Sequence, residues 1–246
     1  MGPILHRPVG YHHNWISATL TFVEQHAAYR NIDFSVGVYA PPNFAVRKLA
    51  LPLLSCPSVA SMTSPTSHYA ACHGDQDVAI DTNSTGAFIL NRRIRYDDLK
   101  DGSSATLFLG EKWADSYDLG WMSGTRATLR NAGLPLTVIR GTTSRPTGAL
   151  PGMPEWNPDG QSLLPPFDKE GGGPRPLQPG DWSQSMPGGG GAAPVGGFHA
   201  NHPAGALAGF GDGRVTLMAT TISPTVLQRL AHREDGQLVD PEGWND

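Results

Sequence analysis

The chain has 246 residues, and its 18 Lys+Arg are scattered against 22 Asp+Glu for a formal net charge of −4, so the basic stripe of a nucleic-acid binder is missing. An apolar fraction of 39% beside 30 Gly and 22 Pro suits a real core carrying long loops rather than a disordered chain. The longest apolar run, Leu49 to Leu54, is far short of the ~20 residues a membrane-spanning helix needs, and residues 1–11 lack the apolar core of a signal peptide.

In chain order, His12 to Asn31 predicts a helix, because Ile16, Leu20, Val23 and Ala27 fall on one stripe and Asn14 can cap it. A short second helix is expected over Asn43 to Leu49, stopped by Pro52, which cannot continue the backbone ladder. Leu53 to Cys56 then reads as extended. Ser67 to Cys72, Gly86 to Leu90, Thr106 to Glu111 and Pro135 to Ile139 read as strands, with a helical turn over Arg95 to Lys100 and a turn at Asp101-Gly102. From Gly171 to Gly197, 15 of 27 residues are Gly or Pro. Residues 144–197 therefore read as a long surface loop or insertion within one domain spanning 1–246. Residues 198–240 read as a terminal hairpin plus helix. Gly211-Asp212-Gly213 joins strands at Ala204 to Phe210 and Arg214 to Ala219. Ser223 caps a helix with Pro224 at its first position, and Gly236 closes it.

Catalytic signatures are sparse. There is no Gly-x-Ser-x-Gly elbow and no His-Glu-x-x-His pair. His199 and His202, three apart, could join Asp212 as metal ligands, although a hairpin of this length places Asp212 at the end opposite His202. The favoured reading has His202 orienting a loop and Asp212 accepting turn N–H groups. Asp75, Asp77, Asp81 and Asn83 offer alternating oxygens of the kind calcium takes, but Ala79 occupies a ligand position and the loop glycine of an EF-hand is missing. The favoured reading there is a solvated polar loop. Trp113, Trp121, Trp156 and Trp182 could line an aromatic, sugar-stacking pocket or pack their own loops. Spacing leaves the two cysteines, Cys56 and Cys72, open as either buried thiols or a bridge.

Several segments together resemble one family, the planctomycete-type group called domain of unknown function 1559, also described as solute-binding-protein-like. Its C-terminal tag is His, nine residues, then Asp-Gly. Here nine residues separate His202 from Asp212-Gly213, with Pro203, Gly205 and Val215 retained and departures at Ala204, Leu207 and Arg214. Phe22 to Gln25 with Ile32-Asp33-Phe34, Leu54-Ser55-Cys56-Pro57-Ser58, Tyr69 to Gly74, Arg95 to Thr106 running through Gly110-Glu111, and Leu227 to Val239 follow in the family's order.

The resemblance implies an α+β, pilin-like globular domain with an antiparallel sheet and flanking helices. It would work outside the cytoplasm, in the periplasm or at the cell surface. Full family members begin with a pilin-type signal and a long hydrophobic helix, which residues 1–11 do not resemble. Export permits oxidation, so the resemblance favours a Cys56–Cys72 disulfide. It makes His202, Pro203, Gly205, Asp212, Gly213, Asp101, Gly102 and Glu111 structural motif residues, and it carries over no catalytic residue and no required cofactor. The expected function is a pseudopilin-like structural or interaction module, related to type II secretion components, with other pseudopilin-like proteins or cell-surface components as partners. A solute- or glycan-binding protein and a metal-dependent hydrolase are the alternatives.

Overall fold

The computed structural model describes residues 10–59, 65–114, 118–138, 195–200, 202–237 and 239. All of them fall in one compact unit, Val9–Thr142 with Pro194–Asp246. The expected Gly/Pro-rich loop, apart from residues 195–197, lies outside the described residues, as do Trp156 and Trp182.

The predicted N-terminal helix is broken into pieces. α1 (Trp15–Thr19) runs into a 3-10 turn, Leu20–Val23. Glu24 then turns left-handed at φ 60°, and α2 (His26–Arg30) starts afresh. Only the first half of the predicted stripe is buried: Ile16 and Leu20 are inside, whereas Val23 and Ala27 are exposed and Ala28 is buried instead, because one left-handed residue ends the helical ladder and resets the facing. Asn14 caps α1 as expected, accepting the Ser17 N–H at 3.0 Å. α3 is only Phe44–Arg47. Pro52 opens a 3-10 turn, Pro52–Leu54, where an extended segment was expected. This is the first-turn position at which its missing N–H costs nothing. These pieces, with Trp121 and Met122, close a first apolar cluster.

The second cluster sits on a five-stranded sheet built from β1 (Tyr69–Gly74), β2 (Leu107–Glu111), β3 (Leu129–Asn131), β6 (Gly205–Phe210) and β7 (Val215–Ala219), in the order β3-β1-β2-β6-β7. β1–β2, β2–β6 and β6–β7 are antiparallel, but β3 runs parallel to β1. The sheet is therefore mixed, not antiparallel as expected. A second parallel pair joins β4 (Thr137–Val138) to β5 (His199–Ala200). Gly86 to Leu90 forms no regular strand; Gly86 and Phe88 instead donate single N–H bonds to His73 and Cys72 carbonyls. α4 (Pro224–Ala231) lays Leu227, Leu230 and Ala231 over Ala70, Leu107, Ala206, Ala208 and Met218. Alanines on that sheet face let the helix approach closely. Pro224 takes the first helical position as predicted, while the Ser223 side chain makes no cap bond. The described parts are α+β, and among them no helix is long and apolar enough to cross a membrane.

Candidate functional site

Three chain segments meet at the start of the terminal hairpin. The first is the turn after Pro52–Leu54. His68 fixes it by accepting the Cys56 N–H on Nδ1 at 3.0 Å while donating its own N–H to the Leu54 carbonyl at 2.8 Å. The second is the end of β2. Gly110 pairs with Ala208, so Leu207 would come opposite Glu111. The next rung is made by a side chain instead, because Glu111 Oε2 accepts the Leu207 N–H at 2.9 Å. The third is the tight turn from His202 to Gly205, closed by a 3.3 Å bond from the Gly205 N–H to the His202 carbonyl.

The turn aims the imidazole inward. His202 Nε2 lies 3.2 Å from Glu111 Oε1 and 3.4 Å from Cys56 Sγ. On the other side of the ring, Nδ1 lies 3.4 Å from Ser58 Oγ. Cys56 and Glu111 are buried, while the His202 side chain is 30% exposed. Burial pushes the Cys56 thiol above its ordinary value, and the Glu111 carboxylate pushes it the same way. Burial, then Glu111, likewise raise the Tyr69 phenol. Burial, then Lys112, hold the His68 imidazole down, in keeping with its acceptor role.

This geometry is not that of an activated nucleophile. In a Cys–His–carboxylate relay the acid holds one ring nitrogen and the thiol faces the other. Here thiol and carboxylate both address Nε2, and the thiol is driven toward its protonated form. Beside the cluster, His202, Pro203, Ala204, Leu207 and Leu217 line an open, mostly apolar depression.

The remaining motif residues hold backbone. Asp101 is buried, and its two oxygens accept the N–H groups of Asp235 and Gly236, both at 2.8 Å. Gly102 (φ +90°) and Gly213 (φ +88°) take the left-handed turn positions that favour glycine. Asp212 accepts the Arg214 N–H at 2.9 Å. His202 and Asp212 thus mark opposite ends of β6, as the nine-residue spacing suggested, and His202 gathers Glu111 and Cys56 rather than His199 and Asp212.

The acidic loop does not converge either. Asp75 accepts from the Thr85 hydroxyl, Asp77 from Asn131 and the Gly196 N–H, and Asp81 from Thr82. Trp121 is fully buried and donates to the Leu49 carbonyl, so it lines no pocket; Trp113 is half-buried. The expected Cys56–Cys72 disulfide is not formed, and both are free thiols. Cys72 Sγ, inside β1, is directed at the Gly74 carbonyl 3.7 Å away, and burial pushes its pKa up to about 12. Cys56 turns to His202 and Glu111 instead. What sequence reasoning missed was this grouping. Its signal was that Cys56, Glu111 and His202 each belong to a different segment carrying the family resemblance.

Together these features define a small α+β module whose terminal hairpin is tied to the central sheet by a buried thiol, a buried carboxylate and a part-exposed imidazole. The chain belongs to the family SBP_bac_10, a protein of unknown function (DUF1559), which it matches over residues 2–225. No curated protein and no solved structure matches it.

Proposed function

We propose that this chain is the globular part of an exported, pseudopilin-like structural or interaction module without catalytic activity, acting in the periplasm or at the cell surface with other pseudopilin-like proteins or surface components. The observation that carries the reading is how the motif carboxylates are used. Glu111, Asp101 and Asp212 each accept backbone N–H groups, so their charge goes into fixing strand ends and turns. Groups poised for acid–base work point instead at a place where a substrate can sit. The family's compartment, inferred from the pilin-type signal of full members, supplies the export element. A solute-binding reading is favoured by one feature, the depression at His202. Its walls suit an apolar side chain better than a sugar, since Pro203, Ala204, Leu207 and Leu217 offer few hydrogen-bonding groups.

The test is fractionation of the cells that make the protein, with protease added to intact cells and a crosslinker applied before lysis. Recovery with the envelope, cleavage from outside and crosslinked species larger than one chain are the expected outcome. A protease-protected, uncrosslinked cytosolic pool would sink the proposal.

A further inference from the structure

We propose that Cys56, Glu111 and His202 form a binding site for one divalent cation of the zinc class, clasping the terminal hairpin to the sheet. Sγ, a carboxylate oxygen and a ring nitrogen from these three residues all lie within 4.8 Å of one another. The two separations from the imidazole nitrogen fit a shared ion. Zinc bonds of roughly 2.0–2.3 Å at tetrahedral angles place nitrogen and oxygen ligands about 3.3 Å apart and nitrogen and sulfur about 3.6 Å apart. The observed distances are 3.2 Å for Nε2–Oε1 and 3.4 Å for Nε2–Sγ. A shift of a few tenths of an ångström would admit the ion.

Outer contacts orient each ligand. His202 Nδ1 faces Ser58 Oγ, an acceptor for a protonated Nδ1, so on binding the ring proton that Glu111 Oε1 holds on Nε2 moves to Nδ1 and the Nε2 lone pair is freed for the ion. Glu111 Oε2 is engaged by the Leu207 N–H, leaving Oε1 for the ion. The Cys56 backbone is held by His68. Such second-layer partners orient metal ligands and fix the imidazole tautomer. On binding, the Cys56 thiol loses its proton to solvent and the sulfur lone pair bonds the cation. Thiolate plus carboxylate then balance the two positive charges, so the buried set becomes neutral. Water reaching past the part-exposed His202 ring takes the fourth position. Thiolate and imidazole together select zinc-like ions over calcium or magnesium.

The other group of this kind, Asp101, His232 and Asp235, is already committed. Both Asp101 oxygens and His232 Nδ1 accept backbone N–H bonds.

This inference does not rest on the export reading and would stand if fractionation overturned that reading. The test takes the full chain, stripped with a chelator and kept reduced, and titrates it with Zn²⁺ under native mass spectrometry and with Co²⁺ under absorbance. One ion per chain is expected. Bound Co²⁺ should show intense four-coordinate d–d bands and a thiolate charge-transfer band. Cys56→Ser should abolish the charge-transfer band while Cys72→Ala keeps it. Ser58→Ala should weaken binding about 10-fold. Absence of a stoichiometric ion, a cobalt spectrum without thiolate charge transfer, or a full charge-transfer band in Cys56→Ser would each overturn the proposal. If Cys56→Ser does not fold, Cys72→Ala decides: a retained charge-transfer band supports the site and its loss overturns it.

Discussion

His73 is buried without exposure in β1, with Nδ1 3.4 Å from Ser84 Oγ. Burial holds its pKa down from 6.5 to about 4, with Asp77 pulling the other way. The unfolded imidazole binds a proton below about 6.5 while the folded one stays neutral. Acidification therefore favours unfolding across that window, by up to about 1.4 kcal/mol per pH unit, and the penalty levels off below the folded value. His68 acts in the same direction, because protonation would remove the acceptor of the Cys56 N–H. Urea unfolding at pH 7 and pH 4.5 should show wild type losing stability, and His73→Gln losing about 2 kcal/mol less. Equal losses in both proteins would show that His73 titrates normally. At this scale the sequence was readable where a residue acts on near neighbours, as with the Asn14 cap and the Asp212 turn. Glu111 and Asp101 were visible as motif members only. Their partners lie 96 and 134 positions away, and no local pattern encodes such contacts.

Strands of the terminal hairpin fell almost where the Gly-Asp-Gly turn placed them, because β6 and β7 pair across it, although in β7 Val215 and Leu217 are exposed and Met218 is the buried residue. β3 escaped notice because Leu129-Arg130-Asn131 has no alternation and two buried polar residues. The sheet's mixed character depends on that strand. The hairpin's weak point is Gly205. A Cβ there would lie 1.9 Å from the Met218 carbonyl oxygen, in the strand partner's backbone. Gly205→Ala should therefore pry β6 from β7 beside His202 and cost about 3 kcal/mol. Gly209, in the same strand, is the control, since its Cβ would meet only Leu109 Cβ at an ordinary 3.6 Å. Denaturant midpoints should fall sharply for Gly205→Ala and little for Gly209→Ala. Similar shifts for both would mean that glycine flexibility, not the clash, matters.

Across the whole unit, Asp118 is a buried anion between two buried cations. It pairs with Lys112, and its Oδ1 lies 3.6 Å from the Arg130 guanidinium. Arg130 also donates to the Val195 carbonyl at 2.7 Å, joining β3 to the segment that leads into β5. Asp118 offsets part of the positive charge buried with Lys112 and Arg130, and taking a carboxylate out of a buried ion pair is strongly destabilising. Asp118→Ala should cost about 3–5 kcal/mol, read as a lowered melting temperature or loss of soluble protein. A wild-type melting temperature would show that the cations are satisfied without it.

The pairing of β2 with β6 sets a timetable for synthesis. Leu107 finds its partner at Phe210 and Gly110 at Ala208, so a ribosome has made both β1 and β2 long before β6 exists. Through that interval one edge of β2 offers bare N–H and C=O groups, the template on which chains aggregate. The hairpin carrying His202 and Asp212-Gly213 thus acts as the closing stave of a sheet left open until β6 is made. A chain cut short before Gly205 would keep β1 and β2 and never cover that edge.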